Sequence, residues 1–334
     1  MTSATSSALR ATARAMVESP KVILAADEST GTMGDRLSSI GVENTLEART
    51  AFRRLLFSAS GIERYVGATI LFEETLGDPE LVELLTSKGI IPVVKIDKGL
   101  ADYGAKGEKI VRGFDRSELV PRLELYARQG ARATKFRSLF SITDDADQLP
   151  TRECIALNAF AQAQFARLSQ EYGMVPMVEP ELDFKGTHDI MVCEEAANDV
   201  LEAVFVELAV AGVDLSGVIL KPSMVTSGQS AEKRASSSEV ATRTLGVIHE
   251  WVPAEVAGIA FLSGGQSDEE ADANLAAIAQ HAREQMSPLR FTASFGRGLQ
   301  RRALKAWGGD EANTKNAQLV FIDKCRETSQ ASVS

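Results

Sequence analysis

Eight short, almost continuous apolar runs punctuate the chain, at 22–27, 68–74, 91–97, 133–140, 174–181, 217–225, 258–264 and 291–297. Parallel strands buried on both faces need runs of this kind, without the alternation of a half-exposed strand. Between them the apolar spacing switches to three and four. Phe52, Leu55, Leu56 and Ala59 form one helical stripe, Cys154, Leu157, Ala161, Phe165 and Leu168 a second, and Val200, Leu201, Val204, Phe205 and Leu208 a third. Ser267 with Glu270 three residues on predicts a capped helix start that continues through Ala271, Leu275 and Ile278. Strand and helix alternate throughout, which predicts an α/β protein with a single-domain (β/α)8 TIM barrel over residues 1–327. Leu9, Ala13, Met16 and Val17 predict an extra N-terminal helix lying beside the barrel. A C-terminal extension follows Trp307, and residues 328–334 are expected to be a disordered tail. A doubly wound open sheet is the alternative fold, but no GxGxxG follows the first run.

The 334 residues, 44% hydrophobic, suffice for a large core. A formal charge of -10 argues against nucleic acid or an anionic membrane as the main partner, because both attract clustered cations. It leaves room for a local basic pocket. Cys154, Cys193 and Cys325 lie far apart and form no CxxC, as expected of reduced, buried thiols in a cytoplasmic protein. No apolar run approaches the roughly 18 residues of a membrane span. The Ser, Thr and Ala-rich start, with Arg10, Arg14 and no acid before Glu18, has the composition of a transit segment. Its helical spacing favours a helix that belongs to the fold.

Most of the apolar runs finish in charge: Asp27 and Glu28, Lys95 and Asp97, Lys135 and Arg137, Glu179 and Glu181, Lys221, and Arg297. One such residue merely marks where a strand leaves the core. A whole set at C-terminal ends, which converge on one face of a barrel, predicts an active site. Lys221 stands out because Val218, Ile219 and Leu220 lead into it and Pro222 follows. Burial there, with Lys135 and Lys95 as cationic neighbours, disfavours the ammonium and favours a nucleophilic amine; an ion pair with Glu179 or Glu181 would do the reverse. Glu179 and Glu181 are two apart and share a strand face, as carboxylates for acid/base work should, although a purely electrostatic role suits Glu181 equally. Ser263, Gly264 and Gly265 offer unobstructed backbone N–H groups, and Arg297 with Gly298 precedes a helical stretch; barrels commonly hold phosphate after their last two strands. His188, His249 and His281 show no metal-ligand spacing, so no metal and no cofactor are expected.

At these residues the chain resembles class I fructose-bisphosphate aldolases of the animal and plant type. ILAADESTG at 23–31, KIDKG at 95–99, VEPE at 178–181, LKP at 220–222, FLSGGQS at 261–267 and AWGG at 306–309 occur in family order. The resemblance implies cleavage of fructose 1,6-bisphosphate in glycolysis and gluconeogenesis. Lys221 would form the Schiff base, Glu179 would handle the protons of carbinolamine formation and dehydration, and Asp27 would assist C3–C4 cleavage. Lys135 would be the cation beside the nucleophile. Ser263, Gly264 and Arg297 would hold the C1 phosphate, and Lys95, Arg137, Ser29 and Thr32 would face the other one. A homotetramer is implied as well. Two departures stand out: Asp35, beside Arg36, replaces a residue that is often basic in the family, and no tyrosine follows Tyr172, whereas animal enzymes end in one. The second leaves the enamine's proton carrier open. Alternatives are a non-catalytic scaffold on the same fold, or a preference for sedoheptulose 1,7-bisphosphate or fructose 1-phosphate.

Overall fold

The computed structural model describes residues 3–143 and 149–333. Eight parallel strands close a barrel: β1 (Val22–Ala26), β2 (Val66–Leu71), β3 (Ile91–Lys95), β6 (Ala133–Phe140), β7 (Val175–Leu182), β8 (Ile219–Leu220), β9 (Gly258–Phe261) and β10 (Phe291–Phe295). Between β3 and β6 stands an antiparallel hairpin, β4 (Leu100–Tyr103) and β5 (Glu108–Val111). The apolar runs did not announce it, because its two strands are only four residues long, are interrupted by Asp102, Glu108 and Lys109, and lie off the barrel. It is tied to the helix Arg152–Glu171 by Asn158, which accepts from Val111 N and donates to Lys109 O.

Alternation along each strand sorts the core into two layers. Val22, Leu24 and Ala26 pack outward beneath the helices, whereas Ile23 and Ala25 join Ala68, Ile70, Val93, Ala133, Val175, Met177, Ile219 and Ala260 inside the barrel. Leu9, Ala13, Met16 and Val17 belong to that inner cluster. The N-terminal helix Ser3–Met16 therefore does not lie beside the barrel but closes its lower end. Glycines near the strand starts make this fit possible. A Cβ at Gly258 would come within 2.5 Å of Val17, and one at Gly217 within 3.1 Å of Leu9.

Two other expectations change. The sixth run forms only the two residues of β8, because Pro222 has no N–H to continue the ladder and the chain turns irregular. Of the expected disordered tail 328–334, residues 328–331 instead complete the helix Thr314–Ala331, where Thr328 and Ser329 are buried, and Ser334 lies outside the described residues. Thr328 donates to Asp272, Ser329 donates to Pro20 O, and Lys324 forms a buried ion pair with Asp272. Their polarity reads as solvent exposure in sequence, but it is spent on hydrogen bonds inside the fold.

Candidate active site

Counting by twos along the strands from the axis-facing residues brings Asp27, Lys95, Lys135, Arg137, Glu179, Glu181 and Lys221 to the inner face of the barrel mouth. Glu179 stands between two lysines, with Lys221 Nζ 2.8 Å from Oε1 and Lys135 Nζ 2.8 Å from Oε2. Lys135 also lies 2.8 Å from Asp27 Oδ2. The result is a nearly solvent-free row of alternating charge, Lys221, Glu179, Lys135 and Asp27. Of the two environments weighed for Lys221, the pairing with Glu179 is the one found.

Burial pushes the Asp27 carboxyl up, but Lys135 and Lys221 outweigh it and hold Asp27 well below the usual carboxylate range. Glu179 is lowered by the same contest, burial opposing the two lysines. For Lys135, burial opposes the ammonium, and Asp27 and Glu179 overcome it and raise its value. Glu181 goes the other way: burial raises it despite an ion pair with Arg137. The row thus contains two fixed carboxylates, and a third, more easily protonated acid stands beside them.

Lys95 Nζ is 3.5 Å from Asp97 Oδ1, and Asp97 accepts from the N–H groups of Gly99 and Arg137. Asp97 thereby links Lys95 to Arg137, a part that strand-end charge alone did not assign to it. Ser29 caps the helix Thr30–Ser38 by accepting from Thr32 N, and the two hydroxyls are 3.2 Å apart. Among the described residues, no hydrogen bond joins this pair to Lys95 or Arg137, so the structure shows the expected second-phosphate set as two clusters. Arg36 is engaged with Glu28.

The other candidate phosphate site does assemble. Arg297 opens the helix Arg297–Trp307 and donates to Gln266 O, beside the loop of Ser263, Gly264 and Gly265. Leu262 N donates to Pro222 O, which sets this loop next to Lys221. Phe184, absent from the sequence reading, fits against both glycines; Gly265 has φ +75°, and a Cβ there would meet Phe184 at 2.5 Å. Nothing in the spacing of Phe184 could have revealed it, since it follows a different strand. Among the described residues, no group of three His, Cys, Asp or Glu side chains is arranged to hold a metal ion.

The family model described as fructose-bisphosphate aldolase class-I matches residues 8–334. The chain is 42% identical to a probable class 1 fructose-bisphosphate aldolase of Xanthomonas axonopodis over 97% of both chains. It is 43% identical to the cytosolic fructose-bisphosphate aldolase 6 of Arabidopsis thaliana, over 94% of this chain and 87% of the relative. With fructose-bisphosphate aldolase B of Bos taurus the identity is 42%, over 99% and 91%. Among solved structures, the fructose-bisphosphate aldolase of Plasmodium falciparum, in complex with TRAP and a small-molecule inhibitor, superposes with a TM-score of 0.96 at 36% identity, covering 100% of this chain and 96% of that one.

Proposed function

Because the chain belongs to the class I fructose-bisphosphate aldolase family, we propose that it cleaves fructose 1,6-bisphosphate reversibly through a Schiff base on Lys221. The observation that carries the residue assignment is the carboxylate of Glu179 held 2.8 Å from Lys221 Nζ inside the barrel mouth. Glu179 takes a proton from Lys221, and the freed amine adds to the C2 ketone. The second amine proton passes to the former carbonyl oxygen to give the carbinolamine. Glu179 then returns its proton to that hydroxyl, which leaves as water, and the iminium forms. Asp27, held as a carboxylate, accepts the C4 hydroxyl proton as the C3–C4 electron pair moves into the iminium. Glyceraldehyde 3-phosphate departs. The enamine left on Lys221 is protonated at C3 and hydrolysed to dihydroxyacetone phosphate. Lys135 stays cationic and returns both groups to the carboxylate form between proton transfers, and Glu181 with Arg137 tunes the field at the rim. The iminium draws electrons as a Lewis-acidic metal would.

Ser263, Gly264 and Arg297 bind the C1 phosphate in this reading, supported by their assembly beside Lys221. Lys95, Arg137, Ser29 and Thr32 receive the other phosphate, its oxygens bridging the two clusters. Borohydride reduction in the presence of dihydroxyacetone phosphate, followed by peptide mass mapping, tests the assignment. An adduct on Lys221 is expected, and one on any other lysine would overturn it.

A cytoplasmic location accords with the cytosolic and cytoplasmic plant relatives. A homotetramer is supported by exposed apolar residues on two helices, Leu157 and Phe160 on one and Val206 and Val210 on the other. Light scattering should give four times the 35.9 kDa chain mass; a monomer would defeat the proposal.

A further inference from the structure

Outside the reacting row lies a second buried charge cluster. The Glu28 side chain, 6% exposed, is paired with Arg36 and with the equally buried Arg53. Gln300 completes it: its Oε1 accepts from Arg53 at 2.9 Å, and its Nε2 donates to Glu28 Oε1 at 2.9 Å and to Ala25 O at 2.6 Å. These groups come from four places, Arg36 from the helix Thr30–Ser38. Glu28 directly follows Asp27 at the end of β1, Arg53 lies in the helix Leu46–Ser58, and Gln300 is in the first turn of the helix that Arg297 opens. Gly296, before that helix, comes so close to β1 that a Cβ would stand 3.2 Å from Ala25 O.

The cluster therefore clamps the Arg297 end of one helix to the strand end that carries Asp27. A buried carboxylate with two guanidinium partners is costly to assemble and rigid once satisfied. We propose that Gln300, acting through Glu28 and Arg53, is a positioning residue that fixes the Arg297 phosphate site relative to Asp27. This rests on the aldolase reading above. It places no new group on the substrate; it sets the separation between the anion site and the proton acceptor, so its loss should appear first in binding.

The test uses Gln300→Met, which keeps length and helix propensity but has no amide, with Gln318→Met as control. Gln318 bonds Leu55 O and Ser58 Oγ of the same helix that bears Arg53, but not its guanidinium, which is bonded to Gln300, Glu28 and Met33. Wild-type cleavage of fructose 1,6-bisphosphate is measured first, and its absence would count against the activity reading alone. For Gln300→Met, KM should rise about tenfold with kcat within about twofold, and the dissociation constant for inorganic phosphate, read by isothermal titration, should rise by a similar factor. Gln318→Met should alter neither. A KM and a phosphate affinity both within twofold of wild type would overturn the proposal, as would a fall in kcat alone. Should Gln300→Met not fold, the same criteria apply to Arg53→Lys, which keeps the charge but loses the two-pronged bond. The phosphate titration decides the matter even without turnover.

Discussion

Asp27 is a single carboxylate with two neighbours that determine its state. Because Lys135 and Lys221 outweigh its burial, it is charged at neutral pH and able to accept a proton, which is what the C4 hydroxyl requires. Asp27→Asn should cut kcat roughly 10²–10⁴-fold, the usual worth of a positioned acid or base. The borohydride adduct with dihydroxyacetone phosphate should survive, since the proposed mechanism assigns that chemistry to Lys221 and Glu179. Loss of the adduct together with turnover would place Asp27 in Schiff-base formation rather than cleavage. A second residue-scale prediction concerns stability. Met286, 88% exposed, has φ 50° at the end of the helix Asp268–Glu284. Ser287 N donates to Ala282 O and Met286 N to Arg283 O, a Schellman ending whose left-handed position favours glycine. Met286→Gly should stabilise the protein by about 1 kcal/mol, because the side chain contributes little and its backbone conformation is strained. A urea midpoint unchanged or lowered would show that Met286 makes contacts worth more than that strain.

At the scale of elements, the N-terminal helix shows what a sequence conceals. The spacing of Leu9, Ala13 and Met16 specifies an apolar stripe, but a stripe does not name its partner. The information lay instead in Gly67, Gly217 and Gly258, near the strand starts, where added Cβ atoms would crowd this helix or Val17 just after it. Leu9→Ala should therefore cost about 2–5 kcal/mol, the range for a buried leucine, far more than a helix resting on the outer surface would suggest. A loss below 1 kcal/mol in a denaturant titration would contradict the plug. The same limit explains the rest of the comparison with sequence. The inward set from Asp27 to Lys221 was legible because strand period two and the C-terminal end are local facts. Arg53 and Gln300, 247 positions apart, were not, since only closure of the barrel makes them neighbours. Pro222 was visible as a ladder breaker, but the strength of the apolar run around it masked how early β8 ends.

Across the whole molecule, the row of alternating charge couples folding to pH. Asp27 and Glu179 have folded-state values below their unfolded ones, so their contribution is present above the ordinary carboxylate range, about 4, and is lost as pH falls through the folded values. Glu181 is raised, and its contribution runs oppositely, present at low pH and lost as pH rises through its folded value. Lys135 is raised too, and its share is complete below about 10.4, leaving the acid arm untouched. Two lowered carboxylates against one raised predict that stability declines as pH drops from 5 towards 3. Asp27→Asn removes one of the lowered pair while Glu179 continues to hold Lys135. Its stability curve should lie below that of the wild type at pH 7 and approach it as the solution is acidified. Urea midpoints measured at half-unit steps between pH 7 and 3 would reveal the convergence. Parallel curves over that interval would mean that Asp27 binds its proton equally well in the folded and unfolded chains, and that the lysines do not hold it as the geometry requires.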